Sequence, residues 1–188
     1  MEVENMWWIW IVVAVIVVLL LFVILTYNGL IQVNNKVKEA FATMDVYLKK
    51  RWDLIPNVVE SVKGYASHEQ ATLQKVIELR NASYDGMSSE EKLKANEKLS
   101  QGIKSIFALA ESYPDLKASE NFKDLTAQLS RVEEDIANSR KYYNGAVRLF
   151  NNKVQMFPGN IVAGMFGFKE KDMFETAAEE RENVSVNF

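Results

Sequence analysis

The chain has 188 residues, 22 basic against 25 acidic, a formal net charge of −3 and no cysteine. So even a balance is no footprint of a nucleic-acid-binding protein. The lack of cysteine excludes disulfide staples, thiolate metal sites, thiol nucleophiles and a lipidated N-terminal cysteine.

A flank of five residues carries Glu2 and Glu4 and no basic residue. Residues 6–25 then read MWWIWIVVAVIVVLLLFVIL, without a charge or a strong polar group. As a helix rising about 1.5 Å per residue, this stretch covers roughly 30 Å, the hydrocarbon thickness of a bilayer. Trp7, Trp8 and Trp10 at one end and Tyr27 at the other suit the headgroup levels. The acidic flank and the absence of a small-residue cleavage site argue against a removable signal peptide. Residues 6–26 are therefore expected to be an uncleaved anchor. Lys36, Lys38, Lys49, Lys50 and Arg51 all follow it. That bias predicts a single-pass inner (cytoplasmic) membrane protein with its N-terminus outside and its body in the cytoplasm.

Residues 27–158 read as helix nearly throughout. Leu30, Val33, Val37, Phe41, Met44 and Leu48 recur at spacings of three and four, one apolar stripe. In RWDLIPN, Pro56 suits a first helical turn and Asp53 suits a cap, which predicts a reversal near residues 50–54 and a second helix over about 54–82. Asp85-Gly86 is a turn signal, and Ser88 with Glu91 has capping-box spacing before a third helix to about Ser112. Tyr113-Pro114-Asp115 breaks it. The fourth helix holds nearly heptad spacing from Phe122 through Leu129, Ile136, Tyr143 and Phe150 to Phe157, and Pro158-Gly159 ends it. The predicted fold is all-α: a transmembrane helix followed by a long antiparallel four-helix, coiled-coil-like bundle. Residues 159–188 form a tail, first apolar, then acidic, ending in the strand-like VSVNF.

YNGLIQVNNKV at residues 27–37 returns as YNGAVRLFNNKV at residues 143–154. With a reversal near residue 50, Tyr27 to Lys50 and Ser119 to Tyr143 both span about 36 Å, which levels Tyr143 with Tyr27. Tyr27, Gly29, Tyr143 and Gly145 are then expected at a close helix crossing; the alternative is coincidental likeness in a helix-rich chain. The fourth helix would run roughly 21 Å beyond that level, into a depth where Arg148 and Lys153 are costly. Phe157, Ile161, Met165, Phe166 and Phe168 are candidate contacts to the membrane interface or a neighbouring subunit, with Lys169 and Lys171 toward lipid headgroups; the alternative is a tail folded back on its own bundle.

These motifs, with RWDLIPNVVESVKGYASHE and NIVAGMFGFKEKDMF in the same order, closely resemble the LemA family from the anchor to Phe188. The resemblance implies a bacterial, single-pass, helical protein with its N-terminus outside and its body cytoplasmic. Relatives encoded with magnetosome genes are associated with an internal membrane compartment, which suggests membrane organisation by analogy.

No nucleotide-binding or nucleophile motif is present. His68, the single histidine, lacks a ligand three or four positions away, so a helical polar position outweighs a metal or acid/base role. Glu133-Glu134-Asp135 and Glu179-Glu180 read as solvated charge. Arg51, Trp52, Asp53 and Asn57 form either a helix corner or a docking corner with Trp52 as exposed anchor. The resulting expectation is a non-enzymatic scaffold or adaptor, self-associating, with no cofactor and no metal. Its partners would be the lipid bilayer, further copies of itself and a membrane protein. A regulatory subunit of a membrane protease or transporter, or a His68-dependent enzyme, are the alternatives.

Overall fold

The computed structural model describes residues 6–66, 68–80 and 83–174. The acidic flank and residues 175–188, with the VSVNF strand reading, lie outside the described residues. Among the described residues the chain is helical: α1 (Trp7–Lys63), α2 (Gln70–Glu78), a 3-10 turn (Tyr84–Gly86), α3 (Ser89–Glu111), α4 (Pro114–Ala118), α5 (Glu120–Gln155) and α6 (Gly159–Met165). The chain divides into two compact units. One comprises Met1–Phe41 with Arg140–Phe188, the other Ala42–Ser139.

The expected reversal near residues 50–54 does not occur. α1 runs unbroken for 57 residues with Pro56 inside it, about 86 Å of helix. Proline lacks the N–H that would bond the carbonyl four residues back. That carbonyl belongs to Trp52, and it accepts from Arg80 Nε at 3.3 Å instead. Asp53 caps nothing; it pairs with Lys49 one turn earlier at 2.7 Å. The chain turns only after Lys63, so His68 lies exposed in the loop before α2, not on a helix. The candidate corner is thus no corner. Arg51 is fully buried and Trp52 is 3% exposed, so neither is a surface anchor; Asp53 and Asn57 remain exposed.

The Ala42–Ser139 unit closes around Arg51. Its Nε and Nη2 donate to Asn96 Oδ1 at 3.3 and 2.9 Å, and Nη2 also donates to the Asn96 carbonyl at 2.7 Å. Nη1 donates to Ser100 Oγ at 2.9 Å and to Glu133 Oε1 at 2.8 Å. All five guanidinium donors are thereby used. Glu133, expected as solvated charge, is half-exposed and also an ion-pair partner of Arg51. Beside this network Trp52 packs on Tyr84, ring centroids 5.3 Å apart, and the Tyr84 hydroxyl donates to Asp45 at 2.7 Å. Burial, then the bond to Asp45, pushes the Tyr84 hydroxyl pKa far up. Leu99, Ile103, Ile106, Leu125, Leu129 and Ile136 fill the rest. The α3 start matches expectation: Ser88 Oγ accepts from the Glu91 N–H, and the Glu91 carboxylate accepts from the Ser88 N–H at 2.8 Å.

Candidate functional site at the anchor end

The other unit carries the apolar span. The side chains from Trp7 to Leu25 are largely exposed, and α1 is the one described helix long and apolar enough to cross a membrane. Beyond it Val33, Val37 and Ala40 pack against Ala146, Val147 and Phe150 of α5. The Phe41 and Tyr143 rings lie 6.1 Å apart, and Lys153 Nζ donates to the Gly29 carbonyl at 3.3 Å. These contacts fix an antiparallel register. It levels Tyr143 with Phe41 and the end of α5 with Tyr27. The expected level of Tyr143 with Tyr27 is therefore wrong by fourteen residues, about 21 Å. The cause is the missing reversal at residues 50–54. The same correction removes the difficulty of a cationic helix end driven into lipid.

No close glycine crossing results. A Cβ on Gly145 would meet nothing within 4 Å, and one on Gly29 would meet only the tip of Lys153 at 2.9 Å. The tight approach is at Gly159, where a Cβ would lie 2.5 Å from the Lys153 carbonyl oxygen. There the chain folds back from α5 into α6.

α6 is short and two-sided. Val162 and Ala163 are buried on Leu30, with Val23, Tyr27 and Phe168 packed around them. Its end is a Schellman turn: the Phe168 N–H bonds the Ala163 carbonyl at 2.9 Å, and Gly167 takes the left-handed φ of 72° that only glycine adopts freely. This turn sends Phe168 inward, 5.9 Å from the Tyr27 ring and 6.3 Å from Phe150. Phe168 is thus a core contact, not an outward one. Phe157, Ile161 and Met165 point outward, Phe157 at 79% exposure, beside the last turns of the span; Phe166 is half-exposed, its ring against Tyr27 with centroids 4.6 Å apart.

Residues 169–174 then lie along α5. The Asn151 side chain donates to the Lys171 carbonyl at 2.8 Å and accepts from the Lys171 N–H at 2.9 Å. Asn144 does the same for Phe174, at 3.0 and 2.8 Å. Seven helical residues rise about 10.5 Å, and three residues of extended chain cover about 10 Å. The two carboxamides therefore meet residues 171 and 174 in step. Lys171 lies over the Phe150 ring at 5.4 Å, so it is turned toward its own unit; Lys169 is exposed. The sequence reading missed these two asparagines. Their signal was available as an Asn-x6-Asn spacing inside the repeated phrase.

A family model described as the LemA family matches residues 40–188. The chain belongs to the LemA family. It is similar to Protein LemA of Metamycoplasma hominis, 26% identical over 85% of this chain and 74% of the relative. It is also similar to Magnetosome protein MamQ 2 of Paramagnetospirillum magneticum, 20% identical over 81% of this chain and 65% of the relative. Magnetosome protein MamQ of Magnetospirillum gryphiswaldense is 19% identical over 80% of this chain and 65% of its own length. The chain thus spans somewhat less than two thirds of the magnetosome relatives.

Proposed function

We infer that this LemA protein is a single-pass inner-membrane scaffold whose body is attached to the bilayer twice: by α1 crossing it and by α6 lying on its surface. The carrying observation is the outward apolar side of α6 beside the end of the span. If residues 6–25 occupy the hydrocarbon, α6 stands at the headgroup level, and Phe157, Ile161, Met165 and Phe166 enter the interface as an amphipathic helix does. Burying such a patch in lipid removes a liability that a free surface would carry. The basic residues after the span support a cytoplasmic body, and the sustained heptad stripe of α5 supports an antiparallel, coiled-coil-like bundle that acts by binding rather than catalysis. Magnetosome proteins among the relatives are consistent with membrane organisation. A protein tethered at two points resists tilting, which suits a scaffold that self-associates or holds a membrane partner in a defined orientation.

Because the chain has no cysteine, single cysteines placed at Ile161 and at Val46 can carry a fluorophore in the full-length protein in liposomes. Shallow spin-labelled lipids should quench the label at 161 and leave the one at 46 bright. Equal quenching at both sites, or none at 161, refutes the surface attachment. A phosphatase fusion after Phe188 tests orientation; exported activity there reverses it.

A further inference from the structure

Acidic residues are excluded from the anchor end of the chain. Residues 5–38 and 140–169 both belong to the anchor-end unit, although more than a hundred residues lie between them in sequence. Together they hold seven basic residues, Lys36, Lys38, Arg140, Lys141, Arg148, Lys153 and Lys169, and no aspartate or glutamate. All 25 acidic residues of the chain lie outside these two stretches. A cytoplasmic body does not require this, because orientation follows basic residues and is nearly indifferent to acidic ones. Two separate stretches, both cleared of acid and folded to one end, suit a negatively charged surface at that end. Lys36, Lys38, Lys141, Arg148 and Lys169 are exposed and pair with no carboxylate of a described residue; Lys153, also exposed, bonds only the Gly29 carbonyl. In Ala42–Ser139, by contrast, Lys49, Lys63, Lys92, Lys94 and Lys117 each hold a carboxylate within 3.3 Å. The described acids of the anchor-end unit are Glu39, one turn beyond Lys36, and Glu170 and Asp172, which alternate with Lys169 and Lys171 and leave that segment neutral. Lys36, Arg148 and Lys153 remain unbalanced.

Given the attachment of α6 to the bilayer inferred above, we propose that the anchor end selects anionic phospholipids, whose headgroup phosphates are held by Lys153, Lys36 and Arg148, in falling order of strength. Height above the hydrocarbon sets the order. The headgroup layer is roughly 5–8 Å deep, half the difference between a bilayer of about 40–45 Å and a core of about 30 Å. Gly29 is four residues past Leu25, about 6 Å, and its carbonyl holds Lys153 Nζ at 3.3 Å. That ammonium therefore stands in the headgroup layer. α6 starts against the same residue, since a Cβ on Gly159 would lie 2.5 Å from the Lys153 carbonyl oxygen. Apolar groups for the acyl boundary and a cation for phosphate thus stand side by side, the pairing by which amphipathic helices bind anionic membranes. Lys36 is eleven residues past Leu25, about 16 Å. Side chains lean toward a helix N-terminus, so on α1 Lys36 leans down to the lipid. Arg148 is five residues after Tyr143, and Lys36 is five before Phe41, so the Tyr143–Phe41 ring contact levels the two. α5 runs the opposite way, and Arg148 leans up. Both lie about one Debye length, roughly 8–10 Å, from the headgroups, where the surface potential still attracts a cation. Lys141 is seven residues farther from the bilayer along α5, about 10.5 Å, and lies beyond that reach.

The test is electron paramagnetic resonance on the full-length protein in phosphatidylcholine bilayers, with spin-labelled phosphatidylglycerol or phosphatidylcholine as the probe. At low salt the unaltered protein should hold the phosphatidylglycerol probe about threefold or more in preference to the other, and about 0.5 M salt should reduce the preference. Lys36→Gln, Arg148→Gln and Lys153→Gln together should abolish it. All three side chains are exposed and glutamine is a good helix former, so the fold is kept. Singly, Lys153→Gln should lower the preference most and Arg148→Gln least, while Lys153→Arg and Lys141→Gln should leave it unchanged. No preference in the unaltered protein, or a preference that survives the triple substitution, overturns the proposal. A loss with Lys141→Gln as large as with Lys153→Gln overturns it too, since charge alone and not height would then decide. The label at residue 161, read in the same bilayers, separates selectivity from attachment. Quenching at 161 without lipid preference overturns the selectivity alone; no quenching at 161 overturns the attachment and the selectivity with it.

Discussion

The two units satisfy their polar groups in opposite ways. In Ala42–Ser139 a buried arginine from α1 is matched donor by donor to side chains and one carbonyl on α3 and α5. In the anchor-end unit, asparagines on a helix reach out to main-chain groups of an extended segment. The first arrangement specifies particular partners and tolerates no replacement. The second reads only backbone, so it accepts any extended residue of suitable reach. The first needs side chains from distant helices brought to one point; the second needs only a spacing along one helix that matches an extended segment of the same chain.

The largest break in this contrast should come from Arg51. Arg51→Ala leaves Asn96 and Glu133 without their donor and opens a void, a loss of about 3 kcal/mol or more. Arg51→Lys should fail almost as badly, because one ammonium cannot reproduce a five-donor fork. Denaturant unfolding in detergent measures both. In hydrogen exchange the loss should concentrate in α3 and spare the amides of 171–174. Equal loss at 171–174 would contradict a role for Arg51 confined to its own neighbours.

In the anchor-end unit the sensitive glycine is Gly159. Gly159→Ala forces a methyl against the Lys153 carbonyl and should cost about 2 kcal/mol. Gly145→Ala faces open space and should be neutral or stabilising by up to about 1 kcal/mol. Melting temperatures of the pair decide it; the reverse order would restore the glycine crossing read from the repeated phrase.

The helices were legible because periodicity reports burial directly. The α5 stripe from Phe122 to Phe150 is buried or half-buried as its spacing indicated. The errors share one origin. Pro56 was read by its local chemistry as a helix start, but the carbonyl it orphans is satisfied by Arg80, twenty-eight residues away in sequence. No local pattern encodes that bond. Every level assigned after it, including Tyr143 against Tyr27 and the exposure of Trp52, carried the same displacement. Arg51 was singled out, but its burial was hidden because its partners Asn96, Ser100 and Glu133 come from distant helices.

Arg80→Ala should cost about 1 kcal/mol by leaving the Trp52 carbonyl unpaired. Pro56→Ala restores an N–H four residues beyond Trp52, so Arg80→Ala in that background should cost much less. A double-mutant cycle with no coupling would mean that Arg80 does not serve this carbonyl.

The smallest effect separates a charge from a hydrogen bond at the start of α3. The Glu91 carboxyl is held below its usual pKa, first by the bond to the Ser88 side chain and then by the Ser88 N–H. A carboxylate whose pKa is lower folded than unfolded binds fewer protons in the folded state. Its contribution is present above the unfolded pKa and is lost as pH falls through the folded one. Glu91→Gln keeps an acceptor for the Ser88 N–H but has no charge to lose and no carboxylate to favour the helix N-terminus. The unaltered protein should therefore melt slightly higher than Glu91→Gln at pH 7, with the difference shrinking toward zero below the folded pKa. The site is fully exposed, so added salt should shrink it as well. A difference that persists in strong acid would show that the carboxylate's charge contributes nothing and that shape alone makes this cap, which would align it with the side-chain matching around Arg51.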